Sequence, residues 1–198
     1  MMKHLLTVAF LLLTGMGAAG MGAAIRPQAG EHRLALSLQR KLQYIGENAQ
    51  AAKPDPAPTV MTEEEVNDYF AAGKVKMPQG LTKITFRGRS GQVTALAVVD
   101  FDQMRAGQRS SNPLLTIFSG THNVEIDTDA SGSEHRGHVH VRSVSIDGTA
   151  VPNFALEIFV DRFLKPKYPD VGIDSVFDLP ERIDTATVGY HKLTVTQK

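Results

Sequence analysis

Beyond Leu81 apolar residues recur at every second position in one stretch after another, and no other feature restricts the fold of this chain as tightly. Thr82, Ile84 and Phe86 share one parity; after the turn Arg87-Gly88-Arg89-Ser90-Gly91, Val93, Ala95, Ala97, Val99 and Phe101 share another. Side chains alternate across a strand, so this pattern predicts a β-hairpin. Leu96 and Val98 make its second strand apolar on both faces, which predicts a covering element on each side. Val124, Ile126, Thr128 and Ala130 then alternate with Asn123, Glu125, Asp127 and Asp129, a strand with one wet face that residues 131–137 turn back. In the return strand, 138–146, Val139 and Val141 have one parity and Val144 and Ile146 the other, so a β-bulge near Arg142 and Ser143 is predicted. Phe177-Asp178-Leu179-Pro180 reads as a short edge strand, because proline limits pairing. Ile183, Thr185 and Thr187, then Leu193 and Val195, form a last hairpin around residues 189–192.

Helical periodicity precedes and interrupts this alternation. Thr62-Glu63-Glu64-Glu65 is a capping box, with Met61 placed to staple onto Val66 and an apolar face of Val66, Tyr69 and Phe70. A second helix follows Pro152, with Asn153 as N-cap and Leu156, Phe159, Val160 and Phe163 on its inner face. Residues 31–52 carry Leu34, Leu38, Leu42, Ile45 and Ala49 in one helical stripe. That helix either lies on the domain's own core or serves as a membrane-proximal or partner-binding element. Prolines at 54, 56 and 58 make residues 53–58 a linker. Residues 103–111 are polar and irregular, and the apolar stretch 114–118 fits helix or strand equally. The fold class is α+β: a bent antiparallel sheet wrapping one or two helices, preceded by the N-terminal helix and the proline-rich linker.

Residues 1–24 combine a short basic start (Lys3, His4), the apolar run 5–13 and a Gly/Ala-rich end, the pattern of a signal peptide cleaved after Ala24 or Ala19. An uncleaved anchor is the alternative, since the apolar stretch extends to Ile25. The domain organisation is thus 1–24 signal peptide, 25–58 helix and linker, and 59–198 a single α+β domain, exported to the periplasm or secreted. The absence of cysteine excludes a lipoprotein attachment site, disulfides and thiol chemistry. Cleavage after Ala24 takes only Lys3 from the 21 basic residues and no acid, leaving 20 against 21 and a net charge of −1. Such a chain has no basic field to gather nucleic acid.

Several constellations invite a chemical reading and are weak on inspection. His138 and His140 share a strand face near His135, but no HExxH motif, cysteine or dedicated carboxylate accompanies them, so a solvated face is the better account than a metal site. Asp100 and Asp102 likewise end a strand more readily than they hold a cation. Gly88-Arg89-Ser90-Gly91-Gln92 lacks the final Gly of a GxSxG elbow and sits in a hairpin turn. The reading therefore assigns no catalytic residue, metal or cofactor. It assigns instead an apolar groove between sheet and helix, lined or bordered by Phe70, Phe101, Leu156, Phe159 and Phe163.

The order of "MTEEEVNDYF", "MPQGLTKITFRGRSGQVTALAVVDFD", a central hairpin, "DGTAVPNFALEIFVDRFLKPKYP" and "FDLPERIDTATVGYHKLTVTQ" resembles exported bacterial proteins of the LmeA-type phospholipid-binding group, over about residues 60–198. Those are similar in turn to tubular lipid-binding folds, in which a strongly bent antiparallel sheet wraps a helix. The resemblance implies lipid binding in the cell envelope and supplies no catalytic residues. The expected function is a non-catalytic envelope protein whose partner is a lipid or other apolar small molecule, with peripheral membrane contact. The alternative is an interaction module that docks a protein through its N-terminal helix.

Overall fold

The computed structural model describes residues 32–104, 118–166, 168, 169 and 171–198. The signal peptide expected at 1–24, and all of the 114–118 stretch except Phe118, lie outside these residues. In chain order the elements are α1 (Arg33–Gln50), β1 (Thr59–Thr62), α2 (Glu63–Ala71), β2 (Leu81–Arg89), β3 (Gln92–Asp100), α3 (Phe101–Met104), β4 (Thr121–Ser133) and β5 (Arg136–Ile146). There follow β6 (Thr149–Ala150), α4 (Asn153–Phe159), a π-helical turn (Val160–Leu164), β7 (Asp174–Asp178), β8 (Ile183–Gly189) and β9 (Lys192–Gln197). The protein is mixed helix and strand, mostly antiparallel sheet with a few helices. Among the described residues no helix is long and apolar enough to cross a membrane.

The strands form one sheet in the order β1-β9-β8-β4-β3-β2, with β5 also on β4 and β6 and β7 on β5. The long strand β4 is its spine. One edge pairs with β3 over Thr121 to Asp129 and then with β8 at Ser131 and Gly132; the other pairs with β5 from Val124 to Ser133. Even-numbered residues of β4 face inward: Val124 and Ile126 enter one core and Ala130 another, while Asn123, Glu125 and Asp129 are exposed. Helices therefore cover one face of the sheet at two places. The first core joins Ala97, Val99, Val124, Val141, Val144 and Ile146 to α3, α4 and the π-turn. The second joins Ala130, Val139, Ala186, Val188 and Val195 to Leu38 and Ile45 of α1, with Val66 and Tyr69 of α2 packed beside them.

Extra residues decide which side chains reach these cores. Asp127 pairs with Ser143 and Thr128 with Val141, so Arg142 is the inserted residue, where the parity change predicts it; Val141 and Val144 are consequently both buried. Two further irregularities correct the expected faces. Thr82 is skipped between Leu81↔Val99 and Lys83↔Val98, so Leu81 takes the inward place expected for Thr82. Asp184 is skipped between Ile183↔Gln197 and Thr185↔Thr196, so Ala186 and Val188 are buried, not Thr185 and Thr187.

Turns are tighter than expected. The β2–β3 turn is Ser90-Gly91 alone, with Gly91 at φ +69°, and the β4–β5 turn is Glu134-His135, at φ 52° and 62°. Two consecutive positive φ values match the twist of flanking strands. The strand expected to run through Phe101 stops at Asp100, whose carboxylate accepts from the Gln103 amide at 2.9 Å and starts α3. The edge strand is Asp174–Asp178, ending before Leu179 and Pro180. Asn153 is not the N-cap of α4: Pro152 holds that place with no side-chain cap. The helix then widens, its Lys165 amide bonding to the Val160 carbonyl five residues back at 2.9 Å.

At the other end, α1 and α2 are joined by carboxylates. The capping box is present: Thr62 Oγ1 accepts from the Glu65 amide at 3.2 Å, and the Thr62 amide donates to Glu65 Oε2 at 2.8 Å. Glu65 is 5% exposed and also accepts from Ser37 Oγ at 2.6 Å and Lys41 Nζ at 2.7 Å, both on α1. Burial pushes this carboxyl up, but the lysine, the serine and the Thr62 amide together hold it below its ordinary range. The α1 N-terminus has no cap of its own, and Asp68 of α2 provides one by accepting from the Ala35 amide at 2.7 Å and from His32 at 2.8 Å. Residues 51–58 fold back on α1, where Asn48 bonds both backbone groups of Asp55 at 2.8 and 3.0 Å. They lead into β1, a strand not foreseen from the sequence, paired with β9 from Thr59↔Val195 to Thr62↔Lys192.

Candidate functional site

Four phenylalanines from three separate parts of the chain meet inside the first core. Phe118 and Phe159 stack with centroids 4.3 Å apart; Phe101 meets both edge-on, at 5.5 and 5.6 Å, and Phe163 lies 5.4 Å from Phe159. All four are 1–4% exposed, and Leu156 packs half-buried against the cluster. Aromatic pairs at these separations gain about 0.5–1.5 kcal/mol each beyond area burial. Phe101 is carried in by the Asp100-capped start of α3, and Phe159 and Phe163 by the α4–π arm.

Four of the five residues expected to line a groove, Phe101, Leu156, Phe159 and Phe163, are thus brought together. Phe70 is not. It meets Phe86 of β2 edge-on at 5.1 Å, outside this cluster. The apolar face of α2 and the strand face from Val93 to Phe101 are divided between the two cores: Val66, Tyr69 and Val93 border the second, and Phe101 belongs to the first. The sequence reading missed Phe118 as a site residue. Its signal was the apolar run after Asn112-Pro113, too short to show that Phe118 is buried.

The surroundings of the cluster are partly apolar and partly charged. Phe154, at the start of the helix that carries Phe159, is 53% exposed, with half-buried Ile158 one turn further along the same face. At the start of β4, His122 lies 6.3 Å from the Phe101 ring; its Nδ1 is 2.6 Å from Asp147 Oδ2 and its Nε2 2.7 Å from the Ser119 carbonyl. Asp147 in the β5–β6 turn also accepts from the Asn123 amide at 2.9 Å. The Asp147 carboxylate, then the Ser119 carbonyl, raise the His122 pKa above its ordinary value; His122, then the Asn123 amide, lower that of Asp147.

The polar constellations have local partners. His140 pairs with Asp174 across β5 and β7, His135 bonds the Ile183 carbonyl at 2.9 Å, and His138 is exposed on the outer face. Among the described residues no three His, Asp or Glu side chains are grouped to hold one metal ion. Asp102 accepts from the Gly120 amide at 3.1 Å, and Ser90 lies in its hairpin turn. A polar depression of about 330 Å³ on the outer sheet face is lined by Arg89, Gln92, Thr94, Asp127, Arg142 and Ser143. Its acid is occupied: Asp127 accepts from Thr94 at 2.6 Å and Ser143 at 3.0 Å, and Arg142 lies 3.8 Å from Asp129 outside the depression. A second depression, about 390 Å³, lies on the outer face of α1 along Arg33, Leu36, Gln39, Arg40 and Gln43.

No family model, no curated protein and no solved structure matches this chain. Chemically, the aromatic cluster offers dispersion and area burial with no nucleophile among its rings, and an apolar molecule enters it only by parting them.

Proposed function

We propose that the chain is an exported, non-catalytic cell-envelope protein that binds a lipid or other long apolar ligand between the α4–π arm and the sheet, which in this reading bends around the helices at the Arg142 bulge. The observation that carries the reading is the buried aromatic cluster, covered by a helix that also exposes an apolar ring, Phe154. The leader-like residues 1–24 and the resemblance to LmeA-type phospholipid-binding proteins favour it as well. The covering helix ends in a single π-turn, a feature found frequently at functional sites. The energetics set a lower limit on the ligand's size. Parting the four ring–ring contacts forfeits about 0.5–1.5 kcal/mol each, roughly 2–6 kcal/mol together, and each buried methylene returns about 0.8 kcal/mol, so roughly three to eight methylenes offset it. A long acyl chain meets that requirement over its whole range.

Native mass spectrometry after gentle purification, together with uptake of a fluorescent fatty acyl probe, tests the proposal. Co-purifying lipid, and uptake weakened by Phe154→Asp but not by Phe70→Leu, are expected. Neither lipid nor uptake in the wild-type chain overturns it.

The second reading, an interaction module docking through the N-terminal helix, is favoured by α1 itself, which leaves Leu34, Leu36 and Tyr44 exposed. Deleting residues 25–58 would strip Leu38 and Ile45 from the second core, so surface changes are the sound test. Leu36→Glu with Arg40→Glu should abolish partner or membrane-surface capture while leaving acyl-probe uptake intact; unchanged capture rejects this reading.

A further inference from the structure

His122 is placed so that both of its ring nitrogens face oxygens that cannot donate. Nδ1 meets the Asp147 carboxylate at 2.6 Å and Nε2 the Ser119 main-chain carbonyl at 2.7 Å. A carbonyl and an ionised carboxylate only accept, so the two bonds coexist only on an imidazolium carrying N–H at each nitrogen. A neutral ring leaves one lone pair pointed at an oxygen lone pair. His32 and His191 differ: each engages a carboxylate through Nδ1, a bond that a neutral ring makes as well.

What the second bond holds is the chain beside Phe118. Ser119 follows that ring, which stacks on Phe159 and meets Phe101, and the next residue, Gly120, is tied by its amide to Asp102 and by its carbonyl to the Phe101 amide at 2.9 Å. We infer that His122 is a proton-controlled clasp: as imidazolium it ties the Ser119 carbonyl to Asp147 and seats Phe118 in the aromatic cluster, and loss of its proton releases Phe118. The proton that remains stays on Nδ1, where the Asp147 charge stabilises it, so the Ser119 bond is the one that breaks.

Among the described residues, the charged groups on the segments next to His122 are Asp100, whose backbone pairs with Thr121, and Asp102, hydrogen-bonded to Gly120, both acids; the cations Arg136 and Arg142 lie further along β5, where the strand pairs with Ser133 and around Asp127 and Thr128 of β4. The raised pKa of His122 agrees with the imidazolium form. The sign follows: a histidine whose folded pKa is raised stabilises fully below its ordinary value near 6.5, and that contribution is lost as pH rises through the folded value. The clasp is therefore shut below the ordinary histidine value and opens as pH rises through the folded one. This does not rest on the ligand reading, because it concerns the ligand-free chain.

Nitrogen-15 NMR of the histidine rings in the full chain, with amide exchange of residues 118–122 corrected for intrinsic rate, tests it. Expected are two protonated His122 nitrogens at about pH 6, a midpoint above the ordinary value, and exchange that quickens about tenfold through that midpoint. Asp147→Asn should lower the midpoint, whereas Asp174→Asn, beside His140, should leave it. A bare ring nitrogen at that pH, exchange that does not follow the His122 midpoint, or a midpoint indifferent to Asp147→Asn overturns the inference. The wild-type titration decides even if a variant does not fold.

Discussion

Removing the charge of Glu65 tests whether α1 is seated as part of the folded body. The carboxylate is 5% exposed and collects donors from Ser37, Lys41 and the Thr62 amide. Glu65→Gln keeps the shape but turns an amide N–H₂ toward Lys41 or Ser37, and weakens the capping box. Breaking a buried pair costs about 3–5 kcal/mol, and loss of a cap about 1 kcal/mol. Lys41 is 31% exposed, so water screens the pair and the lower end applies. The expected loss is about 3 kcal/mol for Glu65→Gln and about 2 kcal/mol for Lys41→Met. Because both remove one interaction, the double variant should lose about 1–2 kcal/mol less than the sum. Urea unfolding followed by circular dichroism measures all three, and the single Glu65→Gln change should lower Tm by roughly 6–12 °C. The pH dependence provides a second readout. A carboxyl held below its ordinary value stabilises at neutral pH, and its contribution is lost as pH falls through that value and then through the folded one. Glu65→Gln should flatten the acid limb of the stability curve. A loss under about 0.5 kcal/mol, or strict additivity with Lys41→Met, refutes the seating of α1 by this pair.

The Arg142 bulge makes an unusual forecast. Its deletion leaves Val141 and Val144 two apart, so both still face inward on a regular strand; the loss should stay within about 1 kcal/mol, whereas deleting His140 turns Val139 outward and should cost about 3 kcal/mol. Denaturant midpoints of the two deletions decide. Asn67 closes the outer edge of β2, its side chain accepting from the Phe86 amide at 2.7 Å and donating to the Phe86 carbonyl at 2.9 Å. Asn67→Ala should cost about 1–2 kcal/mol and promote concentration-dependent self-association through the bared edge; a monomeric, equally stable variant in size-exclusion chromatography and urea unfolding contradicts this.

What the sequence disclosed depended on whether a signal was local. The capping box spans four residues and is satisfied by those same residues, so Thr62 and Glu65 could be read directly. The Arg142 bulge was legible because a parity change within one strand has few other causes when one face is buried. The skipped residues Thr82 and Asp184 left no such trace: each lies at a strand end, where a short run of alternating residues fits either register, and pairing with β3 or β9 decides. Strand β1 was hidden for a related reason. Its four residues bury only Met61, and they become a strand because β9 presents a free edge after a long excursion of the chain.

The candidate site divides along the same line. Leu156, Phe159 and Phe163 were assigned from helical spacing, and a change of winding at Val160 did not remove them from the core. Phe101 reached the cluster by another route, because Asp100 spends its carboxylate on the Gln103 amide and turns strand into helix one residue before the ring. Phe70 and Phe101 read as lining one groove because each lies on an apolar face, and spacing does not show where along the sheet a helix sits. Two helical layers at different places on the same sheet face separate the two rings. His122 lay on a wet-faced strand and carried no motif at all. Its significance comes from two oxygens, one three residues before it and one 25 residues after it, and only the folded chain shows that neither can donate. Pattern reading identifies what a residue can bury; which proton it must hold depends on partners brought from distant elements.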